Sequence, residues 1–419
     1  MTSHAILKQM EIPHSWGNIQ LRWISRRYAG GTPDKNNPDY WEEGTIPWLN
    51  SGVVNQGTVT KPSAFITELA LKESSAKWIP ADGLVIALAG QGKTKGMVGH
   101  LALKTTGNQS LAAVVPTAIQ SRFLYWWLSS QYMNIRNLSS QDGRDGLNLE
   151  MIGGIRCPVP PTATQKKIAA FLDEKTEQID GLIEKKRALL ERLAEKRQAL
   201  IIQAVTKGLN PNAPMKDSGI DWLGQVPEHW EIVKAAWYFG ATKGRDAQQY
   251  TKDFCAQYPG EIPVYSGQTE NGGILGHTDH FTYDLGDKGC IFSTTVGAKA
   301  MDLKHIYGKF CLSQNCMILV PKRSVNLRFY FHHLVAVFAY ERGLIPAHMQ
   351  PSFRVDDFYN FRIAEVPLDE QKEISEYLDT ECGIIEKTAE PILQSIALLE
   401  EYRAALISSA VTGKLLGLQ

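Results

Sequence analysis

The sequence has no CxxC pair, no excess of either charge and no long apolar run, and each absence removes a class of protein. Its six cysteines stand at 157, 255, 290, 311, 316 and 382, a spacing that fits neither a zinc ribbon nor a secreted disulfide framework. They read as buried or incidental thiols, and Cys311 and Cys316, with His305 before them, are the one grouping that approaches a metal set. Lysine plus arginine and aspartate plus glutamate number 44 each, so any nucleic-acid surface has to be a local patch rather than a property of the whole chain. His4, Lys8 and Glu11 interrupt the apolar residues of the N-terminus, and no uncharged stretch is long enough to span a bilayer. A cytoplasmic protein with no membrane partner is expected.

What is present is a chain of 419 residues, 43% hydrophobic and 21% charged, which is the composition of a folded protein and too long for one ordinary core. The chain is written twice. At an offset of 206 residues Pro161 meets Pro367, Gln165 meets Gln371, Leu172-Asp173 meets Leu378-Asp379, and Ala204-Val205-Thr206 meets Ala410-Val411-Thr412. Upstream only landmarks repeat: Pro13-His14-Ser15-Trp16 echoes Pro227-Glu228-His229-Trp230, Trp23 and Trp237 share an offset of 214, and Ile46-Pro47 echoes Ile262-Pro263. A repeat of this length sets the plan as variable domain, helix, variable domain, helix.

Each helical segment carries apolar residues at alternating spacings of four and three, the rhythm of a coiled-coil seam. In the first these are Ile168, Leu172, Ile179, Leu182, Leu189, Leu193 and Leu200; in the second, Ile374, Leu378, Ile385, Ile392, Leu399 and Leu406, with Pro391 expected to kink or delay the helix. A helix of about 44 residues is a rod on the order of 65 Å long. Lys207-Gly208-Leu209-Asn210-Pro211-Asn212-Ala213-Pro214 has the composition of a linker. The variable domains mix short apolar segments, such as 83–89, 289–295 and 316–320, with helical stretches near 121–132 and 328–340, which predicts two small α/β domains.

No catalytic constellation emerges. Gly90-Gln91-Gly92-Lys93-Thr94 approaches a phosphate loop but has Ala87 where the motif needs glycine. Asn37-Pro38-Asp39-Tyr40 resembles an adenine-methyltransferase motif with aspartate replacing a proline, and no methyl-donor motif precedes it. Glu184 and Lys186 have a nuclease-like spacing but lie among alternating charges of a helix. His332-His333 and Trp126-Trp127 fall in apolar helical stretches and are expected to pack.

Gly30-Gly31-Thr32-Pro33, Tyr40-Trp41 and Ile46-Pro47-Trp48 resemble the opening of a target-recognition domain in specificity subunits of type I restriction-modification systems. The junction Lys207-Gly208-Leu209-Asn210-Pro211, Met215-Lys216-Asp217-Ser218-Gly219, Ile220-Asp221-Trp222-Leu223-Gly224 and Val226-Pro227-Glu228-His229-Trp230 is similar to that family's centre, as are the Pro-x-x-x-Gln segments that begin both helices. The second variable domain departs from the opening, with Thr242-Lys243-Gly244-Arg245 in place of Gly-Gly-Thr-Pro.

The resemblance implies a mixed α+β fold with a pseudo-twofold repeat: two target-recognition domains, 1–157 and 209–363 with its linker, separated by two long antiparallel coiled-coil helices, 158–208 and 364–419. It implies a non-catalytic subunit reading a bipartite site in double-stranded DNA. Its partners would be two modification (methyltransferase) subunits and, where the system has them, two restriction subunits. S-adenosylmethionine, and ATP with magnesium, belong on those partners, with no cofactor or metal in this chain. The reading from a different class is a diverged DNA nuclease or methyltransferase with its own catalytic site, and a third is a structural coiled-coil adaptor.

DNA reading needs polar side chains for base edges and cations for phosphates. Candidates cluster after glycine turns: Lys35, Asn36, Lys93, Thr94, Lys95, Gln141 and Arg144 in the first domain, and Lys243, Arg245, Gln268, Asn271, Lys299, His348 and Gln350 in the second.

Overall fold

A computed structural model describes residues 12–90, 92–139, 146–268, 270–297, 299–346 and 348–415. The first variable domain opens and closes on one strand pair, Gly17–Gln20 antiparallel to Arg156–Val159, immediately before the first long helix begins at Thr162. Between them a five-stranded sheet runs in the order Ser25–Ala29, Leu111–Pro116, Leu84–Ala87, Val98–Leu101, Thr58–Val59. Its strand Leu84–Ala87 reads LVIA and is buried at all four positions, as expected of a strand covered on both faces. A second sheet orders Ala64–Ile66, Ile46–Leu49 and Thr106–Gly107, the last two parallel.

The second variable domain repeats this plan with its strands divided four and four rather than five and three among the described residues. Glu231–Lys234 pairs with Arg362–Glu365 ahead of the second long helix. One sheet runs Phe239–Lys243, Cys316–Pro321, Cys290–Thr294, Leu303–Ile306, and the other Ile274–Thr278, Ile262–Tyr265, Lys309–Leu312, Tyr283–Asp284, again with one parallel pair.

The long helices, Thr162–Lys207 and Leu368–Val411, are shared between two compact units, residues 1–186 with 394–419, and residues 187–393. Each unit takes the head of one helix and the tail of the other. In the first, Gly413 (φ 71°) ends the second helix with its Cβ position 2.8 Å from the Trp16 ring, and Arg403 makes a two-pronged contact to Asp180 at 2.8 and 3.0 Å. In the second, Gly208 (φ 69°) ends the first helix against Trp230 at 3.4 Å, and Arg197 pairs with Glu386 at 3.7 Å. Within each unit the two helical segments are therefore antiparallel. Ile201, Ala204 and Val205 enter the same core as Trp230, Ile374 and Leu378.

The seam departs from the expected one. Leu182 and Leu189 are 47% and 46% exposed, whereas Ile183 is buried and Ile201, rather than Leu200, is fully buried. A helix of 3.6 residues per turn drifts about 20° per heptad from a strict 3.5 repeat, and the apolar doublets 182/183, 189/190 and 200/201 let the following residue take the inward position. Pro391 does not end its helix, which runs through it. The proline is exposed, so the Lys387 carbonyl that loses its donor can turn to water.

Candidate nucleic-acid interface

At the end of each domain away from its opening strand pair, backbone hydrogen bonds gather loops that are distant in sequence. In the first unit Gly31 N–H donates to Gly107 O at 2.7 Å, Asn108 to Leu49 at 2.9 Å, Leu88 to Ser110 at 2.8 Å and Leu147 to Leu88 at 2.8 Å. The second repeats the scheme: Ser313 donates to Tyr265 at 2.7 Å, Thr295 to Asn315 at 2.8 Å and Phe353 to Thr295 at 2.8 Å. The glycine after the first sheet strand lets its loop press on the central turn. A Cβ on Gly30 would lie 1.9 Å from Gly107 O, and one on Gly244 2.5 Å from Leu312 O. Gly244 thus stands where Gly30 stands, and supplies the equivalent missing from the second domain's opening.

These clusters collect most of the candidates. Lys35 and Asn36 are exposed on the loop that follows Gly30. Lys93 is exposed beside Gly92 (φ 62°), its carbonyl accepting from the Tyr132 hydroxyl at 2.6 Å; Lys299, 206 residues on, is exposed with its carbonyl accepting from the Thr294 hydroxyl. Lys243, Arg245, Asn271, His348 and Gln350 are exposed, and Thr94 is half-buried. Gln268 turns its side-chain amide onto Ile274 O. Lys95 is placed otherwise: it is buried, with its ammonium on the Ser139 hydroxyl. Gln141 and Arg144 lie outside the described residues.

The structure adds residues that sequence reasoning passed over. Gln109 and Gln314 occupy the same turn of the two domains, both exposed, and Gln109 Oε1 accepts from the Thr32 hydroxyl at 2.5 Å. Around Gln314 a groove of about 650 Å³ is lined by Lys243, Gln248, Gln249 and Asn315. Side-chain amides suit adenine edges, and cations suit phosphates. The offset of 205 between Gln109 and Gln314 was available as a signal, but only within a stretch where the repeat is otherwise faint.

Each cluster stands on a domain clamped to its helix. Gln165 Oε1 accepts from Gln120 N–H at 2.7 Å while its amide donates to Pro160 O at 2.7 Å; Gln371 does the same with Asn326 N–H at 2.8 Å and Val366 O at 2.7 Å. This explains the repeated Pro-x-x-x-Gln. The paired histidines belong to this scaffold: His332 meets Asp379 at 3.1 Å, and His333 accepts from Ala364 N–H at 3.2 Å, burial pushing its pKa down to about 4. Trp126 and Trp127 are buried, as expected. All six cysteines are free and buried, with burial pushing Cys290 and Cys316 up to about 12, and Cys311 donates to His280 O at 3.3 Å. Among the described residues no group of three or more His, Cys, Asp or Glu is set to hold a metal, and no helix is long and apolar enough to cross a membrane.

Two domains of one plan, each carrying a polar loop cluster and clamped to a long helix, define a duplicated recognition protein. The chain belongs to the family described as the type I restriction modification DNA specificity domain, which it matches over residues 13–192 and 241–394. It is 30% identical over 155 residues to the type I restriction enzyme EcoR124I/EcoR124II specificity subunit of Escherichia coli, covering 36% of this chain and 38% of that one. It is 24% identical over 282 residues to the putative type I restriction enzyme MjaX specificity subunit of Methanocaldococcus jannaschii, covering 65% and 62%. The matches thus span less than two thirds of either relative. In fold it resembles a chain from a structural study of complex assembly and conformational transition of the type I R-M system, with a TM-score of 0.69, 15% identity, and coverage of 97% of this chain and 100% of that one.

Proposed function

We propose that this chain is the non-catalytic specificity subunit of a type I restriction-modification complex. Each domain reads one half of a bipartite duplex site through its loop cluster, and the chain holds two adenine-methylating subunits and, through them, restriction subunits. The carrying observation is the same hydrogen-bonded loop scaffold built twice with different side chains on it, which is what reading two different half-sites from one fold requires. S-adenosylmethionine, ATP and magnesium would reside on the partners, and the complex would work in the cytoplasm.

Exchanging residues 1–157 for the equivalent domain of a related subunit, followed by mapping of methylated adenines, tests this. One half of the methylated sequence should change; a change in both halves or in neither sinks independent reading. The catalytic alternative is settled by incubating the isolated chain with DNA and labelled methyl donor, where label transfer would support it. Affinity for a cognate duplex should rise sharply on adding the modification subunit, since a chain of zero formal charge gains phosphate contacts from its partner.

A further inference from the structure

Of the tryptophans in the described residues, Trp23 and Trp237 are the two that stand out in solvent, at 74% and 57% exposure; the others are buried or half-buried. They occupy one position of the repeat, in the short helices Leu21–Ile24 and Ala235–Tyr238. Both helices are pinned in the same way, Leu21 N–H donating to Ile155 O and Ala235 N–H to Phe361 O, each at 2.8 Å. A single exposed apolar side chain is ordinary, but the same tryptophan exposed at the equivalent point of two domains points to a common occupant.

Their location says which kind. Each tryptophan precedes the strand, Ser25–Ala29 or Phe239–Lys243, whose far end leads to the glycine of the loop cluster. Five strand residues put roughly 17 Å between the two ends, so the tryptophans lie off the base-reading face. Their helices pack instead against Leu149–Gly154 and Val355–Asn360, the short helices just ahead of Arg156–Val159 and Arg362–Glu365, the strands that run into the long helices.

Cations from different sources surround them, with Glu150 in the first unit and Asp356, Asp357 and Glu365 in the second as the acidic neighbours. In the first unit Arg22 and Arg26 flank Trp23 in sequence, and Arg156 is exposed on the adjoining strand. In the second, Gly240 replaces Arg26, and the Lys322 side chain crosses that space, its Cε 3.5 Å from the glycine's Cβ position and its Nζ donating to Ala236 O at 2.9 Å. Lys234 stands opposite the exposed Arg362 in register. Tryptophan and arginine are the side chains that most often anchor protein interfaces, whereas a duplex with its bases stacked inside gives an indole no ring to meet.

We infer that Trp23 and Trp237, each with its cationic surround, form two copies of one protein-docking surface, and that each receives the same partner through an apolar pocket rimmed by carboxylates. Resting on the reading above, that partner is the modification subunit, bound once per unit.

The test uses the full chain with the cognate modification subunit, counting bound copies by native mass spectrometry and measuring affinity by titration. Trp23→Ala and Trp237→Ala should each weaken one of the two copies at least tenfold, and the double variant both. Lys322→Glu should weaken only the copy on the second unit, and thermal midpoints should stay near the parent's because the side chains are exposed. Two copies bound with parental affinity by every variant would overturn the inference while leaving the specificity-subunit reading intact. So would unchanged partner binding with weakened DNA binding, which would reassign the surface to phosphates. If the parent chain binds no modification subunit, both readings fail together.

Discussion

Arg122 Nε lies 2.7 Å from Asp173 Oδ1, and 206 residues later Arg328 Nε lies 2.7 Å from Asp379 Oδ1. Each pair joins a domain helix to the long helix that leaves that domain. Asp173 also accepts the Trp126 indole N–H at 2.8 Å, and Trp126 is buried. Asp173→Ala should therefore cost about 1–3 kcal/mol, chiefly for the stranded indole donor, since the partly exposed ion pair itself contributes little. Asp173→Asn keeps an acceptor and should cost less. Urea unfolding of both variants checks the order, and equal losses would contradict it.

Acid should weaken the second unit first. His333 keeps a pKa of about 4 inside the fold, against 6.5 ordinarily, because burial disfavours its charged form. Below pH 6.5 the unfolded chain takes up a proton that the folded chain refuses until about pH 4. The stabilisation is thus complete above pH 6.5 and lost as pH falls through that window, about 2 kcal/mol of it by pH 5. The corresponding residue of the first unit, Trp127, does not titrate and donates to Arg156 O at 3.2 Å. Denaturation at pH 7.5 and pH 5 should show the loss, and His333→Gln should flatten it.

A methyl group at Gly244 has no room beside Leu312 O, 2.5 Å away, so Gly244→Ala must move the loop bearing Lys243 and Arg245. Methylation mapping should show the second half-site degraded and the first retained, and Gly30→Ala should give the converse. Loss of both half-sites from either change would mean that the clusters do not act separately.

If Lys93 and Lys299 contact phosphates, as the proposed function has it, replacing either with alanine should weaken binding to all duplexes alike and lower the salt slope of log K by about 1. Gln314→Ala should act differently, relaxing one base position at a cost of about 1–3 kcal/mol. Binding titrations across salt concentrations and single-base site variants separate the two behaviours.

The long helices should act as a ruler for the unread spacer. Four residues inserted between Glu184 and Leu193 add about 6 Å and a net rotation of roughly 40°, against about 3.4 Å and 35° for one base pair. Methylation mapping should find a spacer one base pair longer with both half-sites unchanged. An active variant with the original spacer would refute the ruler.

The repeat, both long helices, the linker and the two-domain plan were legible in the sequence alone, because apolar periodicity, helix-stopping glycines and turn chemistry act over a few residues and are written locally. The packing roles of His332, His333, Trp126 and Trp127 were legible for the same reason. Tertiary structure alone decided which member of each apolar doublet faces inward, that Lys95 points into the fold, that Gly244 does the work of Gly30, and that Gln109 and Gln314 stand in the same turn of the loop clusters. It also decided that each helix ends on the tryptophan of the domain it does not follow at its start, Gly413 on Trp16 and Gly208 on Trp230. All of these depend on atoms brought together by strand pairing and helix packing, and residues that meet only in the folded chain leave no periodicity along it.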